Sequence, residues 1–149
     1  MYSVQEETNK EVFFECLRLG EQHYNEVESK STSVPYKLNY KMADAFIEAG
    51  LVRVVTARKN GELVGYFGVV VVEDFFTSKV SAKELGIFVK PEHRKSSCFY
   101  RMMKKIEKLL HEEGVESLQI MFKVGHDTGL ACKAGYEKTE TVYQKFLGE

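Results

Sequence analysis

One segment of the sequence combines an apolar stretch, a polar turn and cationic side chains in a pattern suited to binding an anion. It spans Gly86–Tyr100 and reads GIFVKPEHRKSSCFY. The first backbone N–H groups of a helix lack partners, and the helix carries partial positive charge there. An anion is favoured at that point, and Arg94 and Lys95 add full charges beside it. The segment therefore indicates a phosphate site, although Ser96 or Ser97 could serve only as the helix N-cap.

Glu84 lies on the strand that is predicted to lead into this segment. Simple alternation along a strand places its side chain on the face opposite Leu85 and Ile87. A partly buried carboxylate can act as a general base, directly or through a water molecule. An ordinary edge or surface carboxylate is the alternative interpretation of the same residue.

Hydrophobic periodicity predicts the elements that would position these residues. Asn60-Gly61 is a strong type I′ hairpin signal between two apolar strands, and the clearest helical pattern begins after the polar turn, at Cys98. The element order β-α-α-β-β-β-α-β-α-β describes a single α/β domain over residues 1–149, an α+β mixed sheet covered by helices. Strands are predicted at 2–6, 52–58, 62–72, 80–90, 117–123 and 135–147, helices at about 9–24, 39–48, 98–110 and 127–134, and a loop at 29–35.

Composition narrows the class of protein. The chain of 149 residues is 44% hydrophobic and 29% charged, which fits one ordered domain. No apolar run approaches the roughly 20 residues of a membrane helix, and the acidic N-terminus is unlike a signal peptide. Residues 1–28 are strongly acidic and residues 90–108 strongly basic, within a net charge of −1. This asymmetry favours a local phosphate site over a nucleic-acid surface, although a solvated helix face would carry similar charges.

The cysteines and histidines do not form a recognisable ligand set. The three cysteines are odd in number, widely spaced and without a CxxC pair. We therefore expect a reducing, cytoplasmic compartment and neither a disulfide framework nor a structural zinc. His93, His126 and Asp127 also lack the spacing of known ligand sets, so no metal site is predicted.

The run Val89-Lys-Pro-Glu-His-Arg94 resembles the strand end and loop of the GNAT (N-acetyltransferase) family, which reads valine, any residue, proline, then Arg/Gln-x-x-Gly-x-Gly/Ala. The hairpin at Asn60–Gly65 and the sequence AGYE at Ala134–Glu137 resemble two further features of the family. The predicted element order also agrees, so the resemblance covers nearly the whole chain. The C-terminal half is similar to small GNAT-like proteins of bacteriophages.

This resemblance implies N-acetyl transfer from acetyl-CoA, the cosubstrate, to an amine by direct attack. A backbone N–H would polarise the thioester carbonyl, and a nearby base would take the amine proton, with Glu84 as the candidate for that base. The strand would pair with the pantetheine arm as with an added peptide, and the turn would wrap the pyrophosphate. The implied cofactor-binding residues are Ile87, Phe88, Val89, Arg94, Lys95, Ser96, Ser97, Cys98, Phe99, Tyr100 and His126.

Three positions depart from the family pattern. Ser97 replaces the first glycine, and Phe99 replaces a small residue that lets the helix backbone approach the diphosphate. The Phe99 ring must therefore turn into the core, or cofactor binding is weakened. Ala131 stands where many members carry a tyrosine that protonates the leaving thiolate. Cys132 and Tyr143 are the nearby candidates for that general acid.

These departures leave two functions open. The first is an N-acetyltransferase that acts on an amine of a small molecule or protein, as a monomer or homodimer, without a membrane or nucleic-acid partner. The second is a GNAT-fold protein that has lost catalysis and binds a phage or host component. Cofactor binding distinguishes the two, because a pure binding module need not retain acetyl-CoA.

Overall fold

The computed structural model describes residues 1–27 and 34–148, so most of the loop predicted at 29–35 lies outside the described residues. A short 3-10 turn, Pro91–His93, links the fourth strand to the third helix. The strands are β1 (Tyr2–Glu7), β2 (Val52–Lys59), β3 (Glu62–Glu73), β4 (Val80–Val89) and β5 (Ser117–Gln119), and the helices are α1 (Lys10–Val27), α2 (Tyr40–Glu48), α3 (Cys98–Glu112) and α4 (Leu130–Lys133).

The strands form one sheet in chain order from β1 to β5. The first four are antiparallel, and β5 runs parallel to β4 because α3 crosses over between them. Asn60 and Gly61 turn β2 into β3 with positive φ angles of 52° and 81°. A type I′ turn requires positive φ at both positions, so the predicted hairpin is confirmed. The mixed sheet with its helices also confirms the predicted α/β fold class.

The apolar stripe of α3 covers one face of the sheet. Met102, Met103, Ile106 and Leu110 are buried at helical spacing against a core that includes Val55 of β2. The opposite face is covered by α1.

On that second face, Phe13 and Cys16 of α1 are buried with Val54, Tyr66 and Phe88. Val54 adjoins Val55 of the first cluster, and neighbouring strand residues point to opposite faces. Helices therefore cover both faces of the sheet. No helix within the described residues is long and apolar enough to cross a membrane.

The C-terminal part of the prediction is wrong in three respects. β5 ends at Gln119 rather than at residue 123, and residues 137–148 form no strand. The alternating pattern of residues 135–147 indicates which side chains would share a face, but a strand also needs a neighbouring edge to pair with. α4 begins at Leu130 rather than at about residue 127, and no side chain caps it. The Asp127 carboxylate accepts from the Gly129 amide at 2.8 Å, within the preceding turn.

A bulge in β4 changes which face Glu84 occupies. The pairing with β3 shifts so that Gly86 lies opposite Gly68 while Glu84 lies opposite Val69, and Leu85 has no partner in the ladder. Val69 belongs to the core beneath α3. Because paired residues of antiparallel strands share a face, Glu84 lies on the α3 side. The predicted placement of Glu84 on the face opposite Ile87 is therefore wrong. Regular alternation of side chains along a strand does not account for the extra residue of a bulge.

Candidate functional site

The turn between β4 and α3 uses some of its backbone amides for its own structure. The amides of His93, Arg94 and Ser96 donate to carbonyl groups within the turn, at 2.9 to 3.3 Å. The Ser96 hydroxyl donates to the His93 carbonyl and accepts from the Cys98 amide at 3.2 Å. Ser96 therefore stabilises the turn, while the Ser97 side chain makes no capping hydrogen bond to α3.

Four amides at the start of α3 remain available. Within the described part of the chain, no hydrogen-bond partner is found for the backbone N–H groups of Lys95, Ser97, Phe99 and Tyr100. Lys95 and Ser97 are exposed, and Lys95 forms no ion pair among the described residues. Free N–H groups at a helix N-terminus, beside an unpaired lysine, make a surface that favours phosphate.

The side chain of Phe99 leaves this surface open. Its ring packs against the core beneath α3, and Cys98 is fully buried in that core. Both residues can therefore contact an anion through the backbone alone. Tyr100 is exposed, and the Lys104 ammonium lies 5.5 Å from the centroid of its ring. Of the two outcomes expected for Phe99, the structure has the one in which the ring turns inward.

Arg94 points away from the four free amides. Its Nε donates to the Val89 carbonyl at 2.7 Å, and its guanidinium forms a bidentate ion pair with Glu26 of α1. The guanidinium carbon also lies 5.3 Å from the centroid of the Phe88 ring. In this structure Arg94 joins the end of β4 to α1, which leaves Lys95 as the cation nearest to the amides in sequence.

The second half of β4 has an open edge. β5 pairs with β4 only at Ser81, Ala82 and Lys83, so no strand among the described residues pairs with Glu84–Val89 on that side. We call Glu84–Val89 the open edge. It includes Ile87, Phe88 and Val89, the residues whose backbone the sequence analysis assigned to a pantetheine arm. An extended ligand can pair with such an edge as a strand does.

Glu84 lies where β5 departs from β4. Its Oε1 accepts from the Met121 amide at 3.3 Å, two residues beyond the end of β5. The carboxylate therefore holds the departing chain close to the first residue of the open edge.

No contact among the described residues brings the other predicted site residues to the open edge. The His126 amide donates to the Lys123 carbonyl in a turn, and the His126 side chain is exposed. Tyr143 is 92% exposed and forms no hydrogen bond or ring contact within the described residues. Their proposed roles depend on contacts with ligands.

Two residues that the sequence analysis did not single out lie above the open edge. His23 of α1 and Tyr66 of β3 are hydrogen-bonded to each other beside Gly86. No motif connects residues 43 positions apart, and each fits an ordinary amphipathic pattern. The glycine in the middle of β4 was the one available signal, because such a residue often marks a close approach.

The sequence model of the acetyltransferase (GNAT) family matches residues 15–139. The chain belongs to the GNAT family. A comparison with curated protein sequences finds no match. The free amides and the open edge thus occur in a chain of the GNAT family, and acetyl transfer is the general activity that this membership supports.

Solved structures of acetyltransferases share the fold over almost the whole chain. An aminoglycoside acetyltransferase from an uncultured soil metagenomic sample, solved with sisomicin, has a TM-score of 0.74 and 16% identity, covering 99% of this chain and 97% of the other. A ribosomal-protein-alanine N-acetyltransferase from Brucella melitensis has a TM-score of 0.70 and 13% identity, covering 100% and 99%. The aminoglycoside enzyme AAC(6′)-Iy, solved with a CoA bisubstrate analogue, has a TM-score of 0.67 and 16% identity, covering 98% and 99%.

Proposed function

We propose that this protein transfers an acetyl group from acetyl-CoA to a primary amine by direct attack. The observation that carries the proposal is the set of free amides at Lys95, Ser97, Phe99 and Tyr100, which adjoin the open edge of β4. A diphosphate needs hydrogen-bond donors and positive charge, and an extended pantetheine arm needs an unpaired strand edge. The open edge would take the pantetheine arm and the free amides would take the diphosphate. The two parts of the site adjoin each other, as the two parts of the cosubstrate do.

The residues present fit acetyl-CoA with one adjustment. The four amides and Lys95 would hold the pyrophosphate, and the backbone of Ile87 would hold the pantetheine arm, whereas the Phe88 carbonyl faces β3. The Val89 carbonyl is occupied by Arg94, so its use would require the guanidinium to move. When bound, acetyl-CoA supplies an activated acetyl thioester, and the protein's part is to orient it and to accept the amine proton.

Glu84 is the sequence-based proposal for that proton acceptor. Its carboxylate already accepts a hydrogen bond from the Met121 amide. Glutamine has an oxygen that can accept the same bond but carries no negative charge, so this replacement tests the charge alone. If Glu84 is the base, Glu84→Gln should lower kcat by about 10²–10⁴-fold with little change in KM. Retained activity would assign the role to another group. The proposal that Tyr143 protonates the leaving thiolate is tested in the same assay with Tyr143→Phe.

The acceptor is tested with a panel of amines. The solved structures with a similar fold include an aminoglycoside acetyltransferase and a ribosomal-protein-alanine N-acetyltransferase. The panel therefore contains sisomicin, spermidine, and peptides with either a free lysine or a free N-terminal alanine. Turnover is followed by mass spectrometry of the acetylated product.

Cofactor binding is tested by thermal unfolding with coenzyme A and acetyl-CoA. At a ligand concentration of 100 times Kd, binding stabilises the folded state by about 2.7 kcal/mol. Ser97→Glu should abolish the shift, since its carboxylate would repel the diphosphate from the free amides. Ser97→Ala is the matched control and should retain the shift, because the native hydroxyl makes no capping hydrogen bond. An undiminished shift in Ser97→Glu would place the phosphates elsewhere, and no shift in the native protein would remove the proposal.

A binding module without catalysis is the second candidate. Two observations favour it. The Arg94 side chain donates to the Val89 carbonyl and so occupies one hydrogen-bond acceptor at the end of β4, and Ala131 stands in place of a tyrosine. Calorimetry with acetyl-CoA separates the two functions, because an acetyltransferase must bind this cosubstrate and a pure binding module need not retain it.

A further inference from the structure

Tyr100 is an exposed tyrosine in the first turn of α3. It is 54% exposed, and no other large hydrophobic side chain of α3, a helix described over its whole length, is exposed. Its hydroxyl forms no hydrogen bond, and its ring packs on no other ring, within the residues that the structure describes. The ring therefore contributes little to the core and is accessible to a ligand. The other exposed residues of α3 are charged or polar: Arg101, Lys104, Lys105, Lys108, His111 and Glu112.

The face of α3 that carries Tyr100 looks towards α4. Tyr100, Lys104 and Glu107 share this face because their spacing is i, i+4 and i+7. The Lys104 ammonium lies 3.5 Å from Glu107 Oε1, and the Tyr136 hydroxyl donates to Glu107 Oε2 at 2.7 Å. Tyr136 comes directly after α4, and its amide donates to the Ala131 carbonyl of that helix at 3.0 Å. These contacts place α4 on the Tyr100 side of α3.

This side of α3 is also the side of the open edge. α4 follows β5 in the chain, and β5 lies beside β4 on the side where the edge opens. Arg101, the next residue after Tyr100, points the other way: its guanidinium donates to the Tyr2 carbonyl of β1 at 3.0 Å. β1 is at the opposite end of the sheet from β5. Tyr100 therefore lies on the open-edge side of the free amides.

The Tyr100 ring adjoins the surface proposed for the diphosphate, because the Tyr100 amide is itself one of the four free amides. In coenzyme A the pantetheine arm, the diphosphate, the ribose and the adenine follow one another. A ligand that runs along the open edge and reaches the amides therefore brings its adenine beside the first turn of α3. Purine bases stack on exposed aromatic side chains.

We infer that Tyr100 binds the adenine of the cosubstrate by ring stacking, an assignment that rests on the proposed acetyl transfer. Lys104 lies over one face of the ring, so the base would take the other face. The Glu107 carboxylate beside Lys104 would repel the 3′-phosphate of coenzyme A, and this favours the uncharged base as the group bound on this face.

The inference narrows the class of acyl donor. A donor that is held by its adenine must carry a nucleotide, as acetyl-CoA does. An acyl group on the phosphopantetheine of a carrier protein has no adenine and would lack this contact.

Calorimetry with three ligands tests the assignment without an acceptor or turnover. The ligands are coenzyme A, dephospho-coenzyme A, which lacks the 3′-phosphate, and 4′-phosphopantetheine, which lacks the adenosine. Tyr100→Ala should raise Kd about 5–30-fold for the first two ligands and leave Kd for 4′-phosphopantetheine within about twofold. The four amides belong to the backbone, so this variant retains them.

The outcomes separate this inference from the proposed function. An unchanged Kd for coenzyme A in Tyr100→Ala would overturn the inference and leave the proposed function standing. Equal losses for all three ligands would place the ring on the pantetheine part, and a loss for coenzyme A alone would assign the 3′-phosphate to it. Either result would overturn the stacking of adenine. If the native protein binds no coenzyme A, the proposed function fails and the inference fails with it.

The chain offers two control variants. Tyr100→Phe keeps the ring and should retain the native Kd for coenzyme A, whereas a loss equal to that of Tyr100→Ala would assign the contact to the hydroxyl and overturn stacking. Tyr40 is the first residue of α2 and is 58% exposed, so it matches Tyr100 in type, exposure and place in a helix. Tyr40→Ala should keep the native Kd. A similar loss there would show a general effect of removing an exposed tyrosine and overturn the assignment to Tyr100.

Discussion

Single side-chain directions decide whether the turn after β4 can receive an anion. Phe99 occupies a position where a ring could cover the amides, yet it packs into the core beneath α3. Ser96, not Ser97, makes the turn's hydrogen bonds. The amide of Ser97 is consequently available, and a serine there does not obstruct the surface as a larger side chain would.

Gly65 is a residue at which the pairing of β3 with β4 depends on the absence of a side chain. A Cβ atom added there would lie 2.9 Å from the Phe88 carbonyl oxygen, on the side of β4 that pairs with β3. Gly65→Ala should therefore lower the free energy of unfolding by about 1–3 kcal/mol, through overpacking against backbone. Urea unfolding measures the change. Gly68→Ala is the control, because its nearest contact would be an ordinary 3.9 Å to Val54 and its cost should be smaller. Equal losses would contradict this explanation.

The cysteines should differ in reactivity. Cys132 is exposed, whereas Cys16 and Cys98 are buried, and burial raises the pKa of the Cys16 thiol to about 12. A thiol with a raised pKa is protonated at pH 8 and is a poor nucleophile. We expect a disulfide reagent to modify one thiol quickly in the native chain and three after denaturation. Rapid modification of Cys132→Ser would contradict the prediction.

At the scale of elements, the open edge at the end of β4 depends on where the neighbouring elements begin and end. β5 leaves after three paired residues, a bulge interrupts the ladder at Leu85, and α3 begins only after a separate turn. Together these features leave a strand edge beside free amides. Periodicity predicted the strand and the helix because their apolar patterns are long. It did not predict the bulge or the short β5, because both depend on pairing between distant residues.

The segment after α4 contributes little to stability in this structure. Val142, Tyr143, Phe146 and Leu147 are all more than half exposed. Removal of residues 141–149 should therefore change the free energy of unfolding by less than about 1 kcal/mol. Thermal unfolding of the shortened chain checks this expectation. A loss of several kcal/mol would show that these residues pair with the sheet, as the predicted closing strand would.

At the scale of the whole molecule, helices on both faces of the sheet bury groups that ionise at high pH. Cys16 and Tyr66 are buried beneath α1, and Tyr136 is half-buried beside α3. Burial is the largest cause of the raised pKa of each, and the carboxylate of Glu107 adds to it for Tyr136. The folded protein therefore keeps all three groups protonated where the unfolded chain would begin to lose protons.

Stability should consequently fall at alkaline pH. The unfolded thiol ionises near pH 8.5 and the unfolded phenols near pH 10, so the stabilisation is complete below about pH 8.5 and is lost as pH rises towards 12. For Cys16 the loss between pH 8.5 and 10 is about 2 kcal/mol. Urea unfolding at pH 7, 8.5 and 10 measures it. Cys16→Ala should show a shallower decline, and an identical decline would contradict the assignment to this thiol.

The sequence alone determined the mixed α/β class, the Asn60-Gly61 hairpin, the α3 stripe and the polar turn that precedes α3, because each depends on residues that are close along the chain. The tertiary structure decided the rest. The face of Glu84, the pairing of Arg94 with Glu26, and the meeting of His23 with Tyr66 all join residues that are distant in sequence. Such contacts depend on strand register and helix packing, and local periodicity does not specify either one.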